Sequence, residues 1–185
     1  MNFELKYAPN KTFKVGVYDL LGVNVDAIVN PANSGLSHGG GLAAAISSEA
    51  GPKLDEQCRT AIRKLGRRIP VTQNVVTTAG RLPYKGVIHA VGPRQGDGSE
   101  QGKIEKTILN CLRRAEGCSW QSLAFPAIST GLFFVPNSVC AEAFKNAVPQ
   151  YWEKHPDSSL ETIWLCLTVD SYPEFKKIFE IDLLR

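Results

Sequence analysis

The sequence predicts an α/β fold: a three-layer α/β/α sandwich with a mixed, largely parallel central sheet. Three observations carry that expectation. Short β-branched runs alternate with helical segments along the chain. Two of the runs, residues 25–32 and 122–128, are so continuously apolar that they read as strands covered on both faces. No repeat, linker or low-complexity tract interrupts the 185 residues, a length suited to one domain with one sizeable core.

Each element follows from local pattern. "FKVGVYDLL" (13–21) and "VDAIVNPA" (25–32) are the two early strands. "LAAAISSEAG" (42–51) has helical composition and ends on Gly51, a residue suited to a left-handed C-terminal cap. Pro52 reopens a helix at its first turn; Leu54, Cys58, Ala61, Ile62 and Leu65 recur at helical spacing before Gly66 stops it. "NVVTTAG" (74–80) and "GVIHAVGP" (86–93) read as strands joined by the turn "RLPYKG". Ile104, Ile108, Leu109 and Leu112 mark an amphipathic helix over 100–116. The strand at 122–128, a helix over 136–154, a strand at 162–169 and a helix over 172–184 complete the chain.

Composition narrows the function. A net charge of +3, with lysines and arginines interleaved with acids, provides no nucleic-acid surface. The basic run "RKLGRR" (63–68) reads as a solvated helix end, where cations suit the dipole. No apolar run approaches the roughly 18 residues that a membrane span needs. Met1 is followed by polar residues rather than a hydrophobic leader, so the chain is expected to be soluble and unsecreted. Cys58, Cys111, Cys118, Cys140 and Cys166 are odd in number and scattered, without the paired spacing of a zinc site. They are expected to be reduced, mostly buried thiols, and no metal is expected.

Chemistry should collect beyond the carboxyl ends of the strands, where loops run into helix N-termini. Two loops there stand out. After "VDAIVN" come Gly39, Gly40 and Gly41, which let backbone N–H groups approach a ligand, and the following helix adds its positive dipole end. After the strand at 122–128 come Ser129, Thr130 and Gly131, a hydroxylated turn able to form a second anion nest. Two nests suit a diphosphate. Neither loop has the lysine of a Walker phosphate loop or the glycine spacing of a dinucleotide fingerprint. A glycine triplet alone is also what tight turns and close packing require.

Set together, "YDLLGVNVDAIVNPANSGLSHGGGLAAAI", "HAVGP" and "PAISTGLFFVP" resemble the macrodomain, the ADP-ribose-binding module, in the right order over nearly the whole chain. "AGRLPYKGVIHAVGPR" and "GGGLAAAI" most resemble the macrodomains of large interferon-responsive mono-ADP-ribosyltransferases of the PARP family; the coronavirus macrodomain shares the "HGGG" loop. The resemblance implies a single macrodomain over 1–185, part of a larger multidomain protein. It would be monomeric, cytoplasmic or nuclear, free of any cofactor, and partnered by ADP-ribose and mono-ADP-ribosylated proteins.

The resemblance also implies roles for residues. Asp19 would accept a hydrogen bond from the adenine amino group, with the Leu20 backbone N–H beside it; the plain reading of Asp19 is a turn cap. Asn33 would bond the distal ribose, and His38 would stand at its rim. Gly39, Gly40, Gly41 and Leu42 would hold the diphosphate from one side; Ser129, Thr130, Gly131 and Leu132 would hold it from the other. Phe133 would lie against the distal ribose, with Phe134 standing where relatives carry glycine. Val169 would cover the adenine without ring stacking, and Asp170 would face the adenosine ribose. Asp26 and Asn30 read as structural, Asn30 by bonding nearby backbone; His89 reads as a satisfied core histidine.

Macrodomains include both modules that only bind ADP-ribose and hydrolases. No acid follows the glycines, where Leu42 and Ala43 stand, and Glu49 is isolated, so cutting of the polymer is not expected. What the resemblance leaves is metal-independent removal of a single ADP-ribose from an acidic side chain. The water would be oriented by the substrate's own phosphate with Asn33, His38, Phe133 and the loop backbone. The alternatives are a non-catalytic reader and an RNA-binding α/β domain; no basic stripe interleaved with aromatics supports the second.

Overall fold

A computed structural model describes residues 1–183. Its strands are β1 (Asn2–Ala8), β2 (Lys11–Val17), β3 (Ala27–Ala32), β4 (Asn74–Thr77), β5 (Gly86–Val91), β6 (Ser122–Pro126) and β7 (Thr162–Leu167). Its helices are α1 (Gly41–Ala50), α2 (Pro52–Leu65), α3 (Glu100–Gly117), α4 (Asn137–Lys154) and α5 (Tyr172–Leu183). The strands form one sheet in the order β1-β2-β7-β6-β3-β5-β4. The pairs from β2 to β5 are parallel, and β1 and β4 close the two edges antiparallel. The expected three-layer α/β sandwich with a mixed sheet is what forms. Among the described residues no helix is long and apolar enough to cross a membrane.

Each face of the sheet has its own core. Phe125, Phe144, Leu112, Leu165 and Phe175 belong to the larger one, beneath α3, α4 and α5. Ile28, Ile46, Leu54, Val87 and Cys58 belong to the smaller one, beneath α1 and α2. The chain therefore leaves β3 toward one face and β6 toward the other, so the boundary between these neighbours is a topological switch point. The two strands pair only at Ala27–Leu123 and Ile28–Ala124. Beyond Ile28 they diverge; Pro31, which has no N–H to donate, is tolerated in this central strand because its β6 side is already open.

Three details depart from the expectation. β1 was not expected: Phe3, Leu5 and Tyr7 alternate with polar residues, the pattern of an edge strand with one covered face. β2 ends at Val17 rather than continuing to 21, because Asp19 Oδ1 accepts the Leu21 N–H at 3.0 Å and turns the chain. Gly51 does end α1, but at φ 81 and ψ −176 rather than in the left-handed helical region. Leu184 of the expected last helix lies outside the described residues.

Candidate ligand-binding cleft

A cavity of about 760 Å³ opens at the carboxyl ends of the parallel strands. The loops after β3, β5, β6 and β7 all reach it: Asn33, Ser37 and Gly39–Ala43 on one wall, Ala127–Phe133 on the other, with Gly92 and the Thr168, Asp170, Ser171 group completing it. That volume suits a nucleotide-sized guest. No lining side chain is basic, and Asp170 is the single lining carboxylate. An anion held here would rest on backbone N–H groups and helix dipoles.

The glycine loop is shaped for that task. Gly41 opens α1 at φ 58, a conformation that favours glycine, whereas Gly40 is extended. A Cβ at Gly39 or Gly41 would meet nothing within 4 Å, and one at Gly40 would make ordinary contact with Leu132 at 3.6 Å. Packing therefore does not demand the triplet beyond Gly41; what the glycines keep clear is the cleft itself. α1 begins without a side-chain cap and without an acid in its first turn, leaving its N-terminal N–H groups for a guest.

Asn33 begins this wall and is already occupied. Its Nδ2 donates to Ser37 O at 2.8 Å and Ser37 Oγ at 2.9 Å, and its Oδ1 accepts the Ser37 N–H at 3.0 Å. Both amide hydrogens are used, and one lone pair of Oδ1 is left to accept from a ligand hydroxyl.

The facing loop is strained. Ser129 and Phe134 have φ of 69 and 58, and the turn is closed by Val135 N donating to Ser129 O at 3.0 Å and Phe134 N to Gly131 O at 3.0 Å. Ser129 Oγ is buried without a hydrogen-bond partner in the wall of the cleft. Phe134 keeps a glycine-like conformation and points its ring outward, 76% exposed, so it does not narrow the cavity.

The structure turns His38 inward from the rim where the resemblance put it. Its imidazole does not line the cavity; the side chain is 6% exposed, with Nε2 3.5 Å from Asp55 Oδ1. Asp55 is held by Ser47 Oγ at 2.9 Å, so the residue before the glycines packs against a carboxylate fixed between α1 and α2, its Nε2 without a hydrogen-bond partner among the described residues. Asn30, rather than bonding backbone, places Nδ2 2.9 Å from His89 Nδ1 and 3.5 Å from His38 Nδ1. Thr77 Oγ1 donates to Thr78 O and therefore accepts from His89 Nε2 at 2.8 Å, so both ring nitrogens of His89 are engaged. Burial, with His38 nearby, lowers the His89 pKa to about 3, burial lowers that of His38, and burial raises the Cys58 thiol to about 12. His38, Cys58 and His89 lie within metal-binding reach of one another, with ligating atoms inside 4.8 Å. The engaged imidazole and the neutral thiol make this a hydrogen-bonded strut instead.

Of the other expected site residues, Gly39, Gly40, Gly41, Leu42, Ser129, Thr130, Gly131, Leu132, Phe133 and Asp170 all line the cavity with Asn33. Asp19, Leu20 and Val169 do not. Asp19 is exposed and caps its turn, and its charge, after burial, helps raise the thiol of cavity-lining Cys166. Leu20 is buried in the smaller core, and Val169 is 58% exposed. Cys166 and Thr168 were missed, although they lie at and just beyond the carboxyl end of β7, where the cleft opens.

Comparisons with known proteins identify the family and the fold. The Macro domain family matches residues 29–144. A Thermotoga maritima protein is 40% identical over 179 residues, covering 96% of this chain; the chain spans 29% of that protein's length. A protein of Enterobacter sp. (strain 638) named O-acetyl-ADP-ribose deacetylase is 42% identical over 145 residues, 77% of this chain and 80% of its own. The Oceanobacillus iheyensis macrodomain solved with ADP superposes with a TM-score of 0.91 at 23% identity, over 100% of this chain and 97% of that one. With a continuous family match across both cleft loops and the sheet between them, the chain belongs to the Macro domain family.

Proposed function

We propose that the chain binds ADP-ribose in the cleft and hydrolyses an ester carried on the distal ribose, with mono-ADP-ribosylated acidic side chains as its protein substrates. One observation carries the reading: two turns, one of them running into the uncapped start of α1, face each other where β3 and β6 part, across a cavity whose lining contains no cation. The relatives named for deacetylation of O-acetyl-ADP-ribose support an ester substrate. In this reading Gly39–Leu42 and Ser129–Leu132 hold the diphosphate, and Asp170 takes the adenosine ribose. Asp19 and Leu20 lie at the adenine end with Val169 at its edge. Asn33 accepts from a distal-ribose hydroxyl through its free Oδ1 lone pair, and Phe133 shields that sugar. His38 acts from behind, holding the glycine loop.

Hydrolysis adds water across the ester, releasing ADP-ribose and a carboxylic acid. The lining has no histidine to act as base, so rate would come from alignment of water by Asn33, the loop amides and the substrate's phosphate. With the one lining carboxylate, Asp170, given to the adenosine ribose, no lining base remains at the distal sugar, and this favours the second reading, a module that binds and does not cut. The test is to titrate ADP-ribose calorimetrically, then follow release of label from a protein mono-ADP-ribosylated on glutamate. Binding with release supports the hydrolase; binding without release at high protein concentration makes it a reader; no binding removes both.

A further inference from the structure

Arg94, which follows β5, lays its guanidinium over the Phe133 ring, with Cζ 4.4 Å from the ring centroid. Gln95 N donates to Phe133 O at 2.8 Å, so backbone and side chain both fasten this segment to Phe133. The segment is itself stiff. Asp97 Oδ2 accepts the Arg94 N–H at 2.8 Å, Glu100 Oε1 accepts from Gly96 and Gly98 at 2.8 and 2.9 Å, and Lys103 Nζ donates to Asp97 O at 2.9 Å.

The charge balance here is unusual. Arg94 is exposed, and its guanidinium has no ion-pair partner among the described residues. The nearby carboxylates of Asp97 and Glu100 are taken up by backbone N–H groups. No lining side chain is basic, so Arg94, held against the lining residue Phe133, is a cation beside a cleft built for an anionic guest. A guanidinium whose carbon lies over a ring and whose N–H groups take no protein acceptor among the described residues keeps those donors for a guest, and its fork fits carbonyl and carboxylate oxygens.

We propose that Arg94 and Phe133 form a subsite for the group attached to the distal ribose: the ester carbonyl and neighbouring carboxylates of an ADP-ribosylated acidic polypeptide. The inference rests on the ADP-ribose reading above. Free ADP-ribose lacks that group and leaves the subsite empty, so Arg94 contributes to recognition of the conjugate rather than of the nucleotide. A guanidinium serving the diphosphate instead would affect both ligands equally, which separates the two anion sources.

The probes are ADP-ribose and an acidic peptide carrying one ADP-ribose through a stable amide, titrated into the wild-type chain, Arg94→Gln and Arg94→Lys. The expected result is that Arg94→Gln weakens the conjugate about tenfold while ADP-ribose affinity stays within about twofold, with Arg94→Lys between. Parallel loss of both ligands, or no change in either, overturns the subsite while leaving ADP-ribose binding intact for the wild-type chain. Failure of the wild-type chain to bind either ligand overturns both readings. Because Arg94 is exposed, unchanged urea midpoints are expected, and these exclude misfolding as the cause.

Discussion

Gly92 and Ser129 compete for one space: the position a Cβ would take on Gly92 overlaps Ser129 Oγ and comes within 2.7 Å of Ile128 Cγ2. The end of β5 thus sets how deeply the loop after β6 can seat. Gly92→Ala must displace the Ser129 and Ile128 side chains that seat that loop. The expected outcome is a loss of about 1–3 kcal/mol in urea unfolding, as for overpacking, together with weakened ADP-ribose binding by calorimetry. An unaltered affinity would show that the loop's seat is irrelevant to the ligand.

Asn33 and Ser37 allow bracing to be separated from ligand contact. Ser37→Ala removes the Oγ partner but leaves the Asn33 Oδ1 acceptor in place. Asn33→Ala removes both brace and acceptor. Steady-state kinetics on O-acetyl-ADP-ribose should show kcat falling more than ADP-ribose affinity in Asn33→Ala, with Ser37→Ala mild in both. Equal losses in the two variants would reduce Asn33 to a loop brace.

Phe134 occupies the left-handed region with its ring in solvent. A residue with a Cβ is strained there by roughly 1–2 kcal/mol, and glycine is not, although glycine gives back part of that through its freer unfolded chain. Phe134→Gly should therefore raise stability by about 1 kcal/mol without altering ADP-ribose affinity. Thermal unfolding of the two proteins decides it.

His89 makes the fold acid-sensitive. Its pKa is near 3 when folded against 6.5 ordinarily, so at intermediate pH the unfolded chain binds the extra proton. The stabilisation is fully present above pH 6.5 and is lost as pH falls toward 3; at pH 4 the loss is roughly 3 kcal/mol. His38, also lowered by burial, acts in the same direction. Urea midpoints between pH 7 and 4 should fall more steeply for the wild-type chain than for His89→Gln. Parallel slopes would count against a neutral buried imidazole.

Asp19 caps the turn that follows β2, and its charge acts on the thiol of cavity-lining Cys166. Asp19→Ala should reduce ADP-ribose affinity about tenfold, the scale of one charge-assisted hydrogen bond. Calorimetry that finds no reduction would leave Asp19 as the cap of its turn and nothing more.

What could be read in advance follows from how local each signal was. Helices α2 and α3 and the buried strands were legible because apolar spacing and the Pro52 and Gly66 signals act within the segment. The glycine loop was legible because the triplet lies between a buried strand and a helix, with a second hydroxylated turn after another buried strand. β1 escaped because one covered face gives only a weak alternation. The inward turn of His38 depends on Asp55, Asn30 and His89, contributed by different elements, and no local pattern reports such a meeting. Cys166 and Thr168 lay within reach of the rule that ligands collect at the carboxyl ends of parallel strands, here the end of β7.

The early parting of β3 from β6 has a mechanical corollary. Past Ile28 no ladder bonds join these two strands, so any guest clasped by the turns at their tips acts as a splint across the seam. Occupancy would damp opening of one half of the sheet against the other, slowing amide exchange far from the guest, in the strands on both flanks.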